Sequence, residues 1–240
     1  MLDKAHAQRT ALVIARGTDV RVAVAVANRL AEMGAKVHLA APHTASIADK
    51  QRSFDHIRLD PAAPDAIDRL ASLMAEVDIL VNAGGAVRLD KRPSPVCEEI
   101  SEEEWDSWLS RGLAFPFFAS VAVTAGMKRR GFGRIIHVTS LAARARPEEP
   151  AHRAAVEAGI TGFARCMGAE LGEFGITVNC VAPGALEADT GNEFGGISAV
   201  PVGRLGTPFD VAAVVAFLST EQAAFINGET INVNGGYFAS

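Results

Sequence analysis

Short apolar runs alternate with longer amphipathic stretches along the whole chain. The apolar runs cover residues 10–15, 36–41, 56–60, 77–85, 133–140, 176–184 and 229–236. Continuous apolar strands separated by helices are typical of a parallel sheet that is buried on both faces. Right-handed crossovers then place helices on both sides of that sheet. The pattern predicts an α/β fold, with a doubly wound parallel sheet of about seven strands in a single domain over residues 1–240.

Two helix boundaries can be placed from local signals. The stretch "VRVAVAVA" (20–27) alternates like a strand, but Val20, Val24 and Leu30 also share one helical face, which favours a helix. Gly34 is a plausible C-cap for that helix. Further along, Ser101 followed by Glu104 predicts a capping box at the start of another helix.

Composition narrows the classes of function. The chain has 240 residues and a formal net charge of −5, and no basic stripe indicates a nucleic-acid partner. No apolar run reaches the length of a membrane span, and the N-terminus does not resemble a signal peptide, so we expect a cytoplasmic protein. The cysteines are widely spaced and odd in number, which fits reduced thiols, and no metal-binding spacing is found.

Three fragments together resemble the short-chain dehydrogenase/reductase family. "DILVNAGG" (78–85) is similar to its strand-and-turn signature, and "GRIIHVTS" (133–140) to the strand that ends at its active-site serine. Residues 175–237 are similar to its C-terminal half, so the resemblance covers nearly the whole chain. It implies a Rossmann-like sheet, hydride transfer with NAD or NADP, and commonly a tetramer.

The phosphate-binding turn of that family is degenerate here. Aligned without gaps, the four fixed places of its Thr-Gly-x-x-x-Gly-x-Gly pattern are Ile14, Ala15, Asp19 and Arg21. All three glycines, which give close backbone approach and helix packing, are lost. A like charge about 4 Å from a phosphate costs roughly 4 kcal/mol at an effective dielectric near 20, so Asp19 should oppose the pyrophosphate.

The ribose reader is also missing, because the second strand ends at Ala41, although His43 could make some contact. The places that line the adenosine half in the family are retained: Asp60, Asn82, Ala83 and Gly84. We expect this chain to bind neither NAD nor NADP, and expect the cofactor on a partner subunit.

Two interpretations of the arginines in this turn remain open. Arg21 could fill the empty cleft and pair with Asp19 or a partner chain. Alternatively, Arg16 and Arg21 could make the helix N-terminus a site for another anion, such as a phosphate of an acyl-CoA.

The family's catalytic Asn, Ser, Tyr and Lys fall, in that order, at Gly112, Ser140, Arg153 and Glu157. Arginine stays protonated and has no acceptor, so it cannot shuttle a proton, and a carboxylate at 157 would raise a neighbouring acid's pKa. No competent catalytic set is therefore expected. Arg153 and Glu157, four apart on a helix, could form an ion pair. The alternative is a cofactor-independent lyase or isomerase that uses Ser140 and Glu157, with His137 or His152.

The elements that the family uses for assembly look complete. Helices are expected over about 102–130 and 151–173, and a second interface over about 208–218 and 229–234. By contrast, the segments 42–55 and 189–201 are short, as if elements near the cofactor had been trimmed.

These features suggest a non-catalytic structural or regulatory subunit that completes a mixed tetramer with an active short-chain dehydrogenase. Such two-subunit enzymes in the family include dehydrogenases of acyl-CoA thioesters in aromatic degradation. A homo-oligomeric ligand sensor is a further alternative.

Overall fold

The fold is known from a computed structural model that describes residues 5–17, 20–42, 54–61, 63, 65–84, 95–141, 150–187 and 197–238. Several sequence predictions lie outside the described residues: Asp19 and His43, most of the segment between the second and third strands, and residues 189–196.

Seven described strands form one parallel sheet. They are β1 (Thr10–Ala15), β2 (Lys36–Ala41), β3 (Phe54–Arg58), β4 (Ile79–Ala83), β5 (Gly133–Val138), β6 (Ile176–Pro183) and β7 (Thr230–Val233). Their spatial order is β3-β2-β1-β4-β5-β6-β7, with every neighbouring pair parallel. This confirms the predicted Rossmann-like, doubly wound α/β fold.

The described helices cover both faces of the sheet. They are α1 (Arg21–Glu32), α2 (Ala66–Met74), α3 (Glu102–Leu109), α4 (Phe115–Arg130), α5 (Ala151–Leu171) and α6 (Pro208–Leu218). Alternate strand residues face opposite sides. Val13 therefore packs in one apolar cluster with α1 and α6, while Leu12 packs in the other with α2, α4 and α5.

The third strand lies two residues earlier than predicted, at Phe54–Arg58 and not 56–60. Its register explains the shift, because Phe54 pairs with Val37 and Asp55 pairs with His38. An edge strand accepts polar residues on its open face, and the exposed Asp55 separates Phe54 from the rest of the apolar run, so an apolar-run criterion begins after it. The other strands begin and end within the predicted runs, which included flanking turn residues.

The predicted helix over 102–130 is α3 and α4 joined through a π-helical turn, Ser110–Ala114. Ser101 Oγ accepts a hydrogen bond from the Glu104 amide at 3.1 Å, which confirms the N-cap half of the predicted capping box. By length and composition alone, residues 102–130 could cross a membrane. Core helices pass the same test, and Ala119, Val123 and Met127 of α4 are buried against the sheet.

Candidate functional site

The carboxyl ends of β1, β4 and β5 meet at one edge of the sheet. The chain reverses its winding direction between β1 and β4, which lie side by side in the strand order. In doubly wound sheets, ligands bind outside the carboxyl ends of the strands at this switch point. We call this region the strand-end crevice; it is bounded by Ala15, Gly84, Ser140, the π turn and the first turns of α5.

Arg16 crosses the strand-end crevice. It follows β1 directly, and its amide donates to Ala83 O of β4 at 3.0 Å. Its side chain continues past β4, donating from Nη1 to Gly112 O at 2.6 Å and from Nη2 to Val138 O at 3.2 Å. The residue is only 9% exposed. Arg16 therefore links β1, β5 and the π turn through charge-assisted hydrogen bonds.

Gly84 leaves the space that Arg16 occupies. A Cβ at position 84 would clash with Arg16 Nε and would lie 2.7 Å from Cζ. Real side chains do not approach that closely, so only glycine at this position admits the guanidinium in its present place. Gly84, the first glycine of "NAGG", thus leaves the space that the Arg16 side chain fills in this conformation.

The catalytic asparagine position, Gly112, lies inside the π turn. A π turn shifts the local hydrogen-bond pattern of a helix and is often found at functional sites. Here the Gly112 carbonyl accepts from Arg16. A Cβ on Gly112 would lie 2.6 Å from Cγ1 of Val156. Helix α5 therefore packs against the π turn more closely than any side chain at position 112 allows.

Glu157 lies on the opposite wall of the crevice and is 2% exposed. Its Oε2 accepts a hydrogen bond from the Ser140 amide at 3.2 Å. Burial lowers the pKa of the Arg16 guanidinium, and the negative charge of Glu157 opposes that shift. The two buried charges are therefore electrostatically coupled, which reduces the penalty of removing each from water.

The structure brings the predicted catalytic positions into one region. Gly112 and Glu157 both interact with Arg16, and Ser140 binds Glu157 through its amide. Arg153 is 7% exposed and lies one helical turn before Glu157. The family's tyrosine and lysine places are thus buried and hold an arginine and a glutamate.

The histidines near the crevice are poor proton donors. Burial, with the positive charge of Arg16, lowers the pKa of His137 to about 3, so its ring is neutral at pH 7 and held by Asn82 Nδ2 at 3.3 Å. Burial also lowers the pKa of His152, whose ring packs on Trp108 at 5.1 Å. Neither environment favours the charged form that a general acid in a cofactor-independent lyase would need.

Cys180 is also inert in this environment. Burial and the nearby negative charge of Glu157 raise the pKa of its thiol to about 12. A thiol that is neutral at pH 7 is a weak nucleophile. Within the described residues, no three His, Cys, Asp or Glu side chains lie close enough to hold a metal ion.

The degenerate cofactor positions lie as follows. Ile14 and Ala15 are buried inside the end of β1, and Ala41 is buried at the end of β2. Arg21 is the first residue of α1 and is exposed. Arg16, and not Arg21, therefore occupies the crevice, and its carbonyl contacts direct it away from an anion site at the α1 N-terminus. The predicted pairing of Arg21 with Asp19 or a partner chain stays a prediction, because Asp19 lies outside the described residues.

The retained positions stay at the strand ends. Asn82 is fully buried, Ala83 is 6% exposed, and Gly84 borders Arg16. Asp60, just beyond β3, is exposed. The guanidinium of Arg16 occupies the space beside Gly84.

This sheet, with its ligand crevice at a switch point, defines the class of doubly wound, dinucleotide-type proteins. Residues 20–238 match the family described as Enoyl-(Acyl carrier protein) reductase. Relatives include the 3-oxoacyl-(acyl-carrier-protein) reductase FabG of Vibrio cholerae, which is 34% identical over 95% of this chain and 97% of its own length. The reductase of the same name from Escherichia coli strain K12 is 37% identical over 75% of this chain and 74% of its own. Nodulation protein G of a Rhizobium species is 33% identical over 76% and 78%.

The chain belongs to the short-chain dehydrogenase/reductase family. This corrects one expectation from the sequence, that NAD or NADP binds only to a partner and not to this chain. Identity of 34–37% to reductases of a dinucleotide-dependent family implies a cofactor site on this chain itself. The lost glycines are therefore insufficient grounds for excluding the cofactor.

Sequence reasoning missed Arg16 as the central side chain of the site. It occupies a variable slot of the turn pattern, where no residue type is expected. The available signal was indirect: a long cation directly after β1, with glycines at 84 and 112 on neighbouring elements.

Proposed function

We propose that this chain is an NAD(P)-binding subunit of a short-chain dehydrogenase/reductase assembly that leaves proton transfer to a homologous, active subunit. Its role in that mixed oligomer is structural or regulatory. The substrate class that fits is a 3-oxoacyl thioester carried on acyl carrier protein, following the names of the relatives. The assembly would be cytoplasmic.

The observation that carries this proposal is the pair at the tyrosine and lysine places. Arg153 has donors only and remains charged, so it cannot protonate a substrate oxygen and recover the proton. Glu157 is buried and accepts from the Ser140 amide, where the family has a cation. A carboxylate there disfavours rather than favours the ionised form of a neighbouring acid.

When bound, NAD(P)H supplies a hydride to a carbonyl carbon. On this chain Asp60, Asn82, Ala83 and Gly84 are the residues that would hold it. The carbonyl oxygen would still need a proton, and general acid help contributes about 10² to 10⁴ in rate. His137 and Cys180 are buried in the sheet. Burial lowers the pKa of His137 to about 3, so it carries no proton to give at pH 7, and raises the pKa of the Cys180 thiol to about 12, so it gives up its proton poorly. Neither replaces the missing acid–base pair.

A second candidate is a reductase that acts without a partner. The observation in its favour is the match to the Vibrio cholerae reductase over 97% of that protein's length. Such an enzyme would need a proton source other than the family's tyrosine. Turnover by the isolated chain distinguishes the two candidates.

The experiment is purification of an affinity-tagged chain from its native host at low ionic strength, followed by mass spectrometry. We expect a co-purified family member with an intact Tyr-x-x-x-Lys pair in equal amount, and reduction of a 3-oxoacyl thioester by the complex but not by this chain alone. A homo-oligomer that reduces the substrate unaided would overturn the proposal.

A further inference from the structure

Arg16 occupies the place at which a doubly wound sheet receives its ligand. Its backbone amide is fixed to β4, and its guanidinium reaches Val138 O at the end of β5 and Gly112 O in the π turn. The side chain thus spans the carboxyl ends of three strands across the switch point. A ligand that follows this edge past Gly84 meets the guanidinium first.

The buried guanidinium group of Arg16 is only partly hydrogen-bonded. Two of its nitrogens donate to carbonyls, and the charge of Glu157 lies nearby. Its Nε, however, is buried and has no acceptor among the described residues. A buried donor without an acceptor is unfavourable. The conformation of Arg16 is therefore held by two hydrogen bonds but leaves one donor unsatisfied.

We propose that Arg16 is an intramolecular plug, which must leave the strand-end crevice before a nicotinamide dinucleotide can occupy it. The proposal rests on the proposed function only in taking NAD(P) as the ligand. The closed conformation competes with the cofactor, and Glu157 with the Gly112 and Val138 carbonyls holds it closed.

The competition predicts a defined change in affinity. The apparent dissociation constant equals the intrinsic one divided by the fraction of molecules in the open conformation. If at least about nine molecules in ten are closed, removal of the plug tightens binding at least about tenfold. The expected tightening is therefore at least about tenfold for Arg16→Ala.

The test is binding of NADH and of NADPH to the purified full chain by titration calorimetry, with no substrate or partner present. Arg16→Ala is compared with the wild type and with Arg29→Ala, which removes a surface arginine paired with Glu32. We expect tightening of at least about tenfold in Arg16→Ala alone. Smaller tightening, weaker binding, or equal tightening in Arg29→Ala would overturn the proposal.

Loss of Arg16 removes one positive charge near the buried Glu157, and the single variant could unfold. In that case Arg16→Ala with Glu157→Gln removes both charges, and the same tenfold criterion applies to it. Because the readout is affinity, turnover by the isolated chain would sink the proposed function and leave this inference standing. An unchanged affinity in Arg16→Ala would overturn the inference about Arg16 and leave the proposed function untouched.

Discussion

The positive charge near the crevice lies on a different residue from the one that carries it in the family pattern. The family carries its cation on the helix that here is α5, at the position of Glu157. In this chain the cation comes from the end of β1, as Arg16, and a buried carboxylate faces it. A nearby opposite charge reduces the cost of burying a charge, and Arg16 and Glu157 provide this for each other. The two substitutions are therefore best understood as one coupled change.

His137 makes stability depend on pH. Its folded pKa of about 3 lies below the ordinary value of 6.5 for histidine, so between these pH values the unfolded chain binds a proton that the folded chain does not. Its contribution is complete above pH 6.5 and is lost as the pH falls towards 3. Between pH 7 and pH 5 this amounts to about 2 kcal/mol.

We therefore expect His137→Gln to reduce the loss of unfolding free energy between pH 7 and pH 5 by about 2 kcal/mol. Urea denaturation at both pH values measures it. Phe163→Leu is the control, because the Phe163 ring packs edge-on to His137 at 5.1 Å but does not titrate. An equal pH dependence in His137→Gln and the wild type would show that His137 is not responsible.

The candidate site could be predicted in its positions but not in its contacts. Motif spacing identified Gly112, Ser140 and Glu157, which the structure brings into one region. It assigned the cleft to Arg21, because both arginines flank the same turn in sequence. The direction of a side chain beyond a strand end is decided by the space that other elements leave, here at Gly84 and Gly112, and no local pattern encodes it.

At the scale of elements, the contact between the π turn and α5 fixes the shape of the crevice. Val156 of α5 occupies the volume that a side chain at 112 would need. Restoring the family's asparagine would therefore require α5 or Val156 to move. Helix α5 thus fills the space that the family's asparagine side chain would occupy at position 112.

This contact predicts opposite effects for two glycine substitutions. Gly112→Ala should destabilise the fold by about 1–3 kcal/mol through overpacking against Val156. Gly162→Ala, in α5, meets nothing within 4 Å and should stabilise it by roughly 0.5–1 kcal/mol. Chemical denaturation of both variants provides the measurement.

Val156→Ala supplies the second check. Val156→Ala should reduce the free energy of unfolding in both backgrounds. Because residues in contact are not additive, the reduction should be smaller in the Gly112→Ala variant than in the wild type, by at least about 1 kcal/mol. Strictly additive changes in the free energy of unfolding would mean that the side chains at positions 112 and 156 are not in contact.

The elements themselves were largely predictable from sequence. Helices α4, α5 and α6 end within a few residues of their predicted bounds, because apolar periodicity and caps such as Gly131 mark them. In α6, Thr207 Oγ1 accepts from the Asp210 amide at 3.3 Å and Asp210 Oδ2 accepts from the Thr207 amide at 2.7 Å. The π turn was not predictable, since it depends on packing against α5.

At the scale of the whole molecule, the large apolar side chains that are exposed include two groups on helices. Trp105, Phe118 and Val121 lie on α3 and α4, with Phe118 55% exposed. Phe209, Phe217 and Phe225 lie on or just beyond α6. Large exposed apolar groups are typical of interfaces, and the surfaces coincide with the assembly regions predicted from sequence.

We expect Phe118→Glu combined with Val121→Glu to reduce the oligomeric state, since buried charges without partners oppose association. Light scattering coupled to size exclusion measures the mass. Ala71→Glu, at an exposed position of α2, is the matched control and should leave the mass unchanged. An unaltered mass in the double variant would remove α4 from the interface.

The most direct test of the account is reduction of a 3-oxoacyl thioester with NADPH or NADH by the purified chain alone. An active family reductase with an intact Tyr-x-x-x-Lys pair is assayed beside it. Because Arg153 and Glu157 replace the acid–base pair, we predict a rate at least about a hundredfold lower than that of the active reductase. A rate less than about a hundredfold lower would contradict the claim that this chain lacks a competent proton donor.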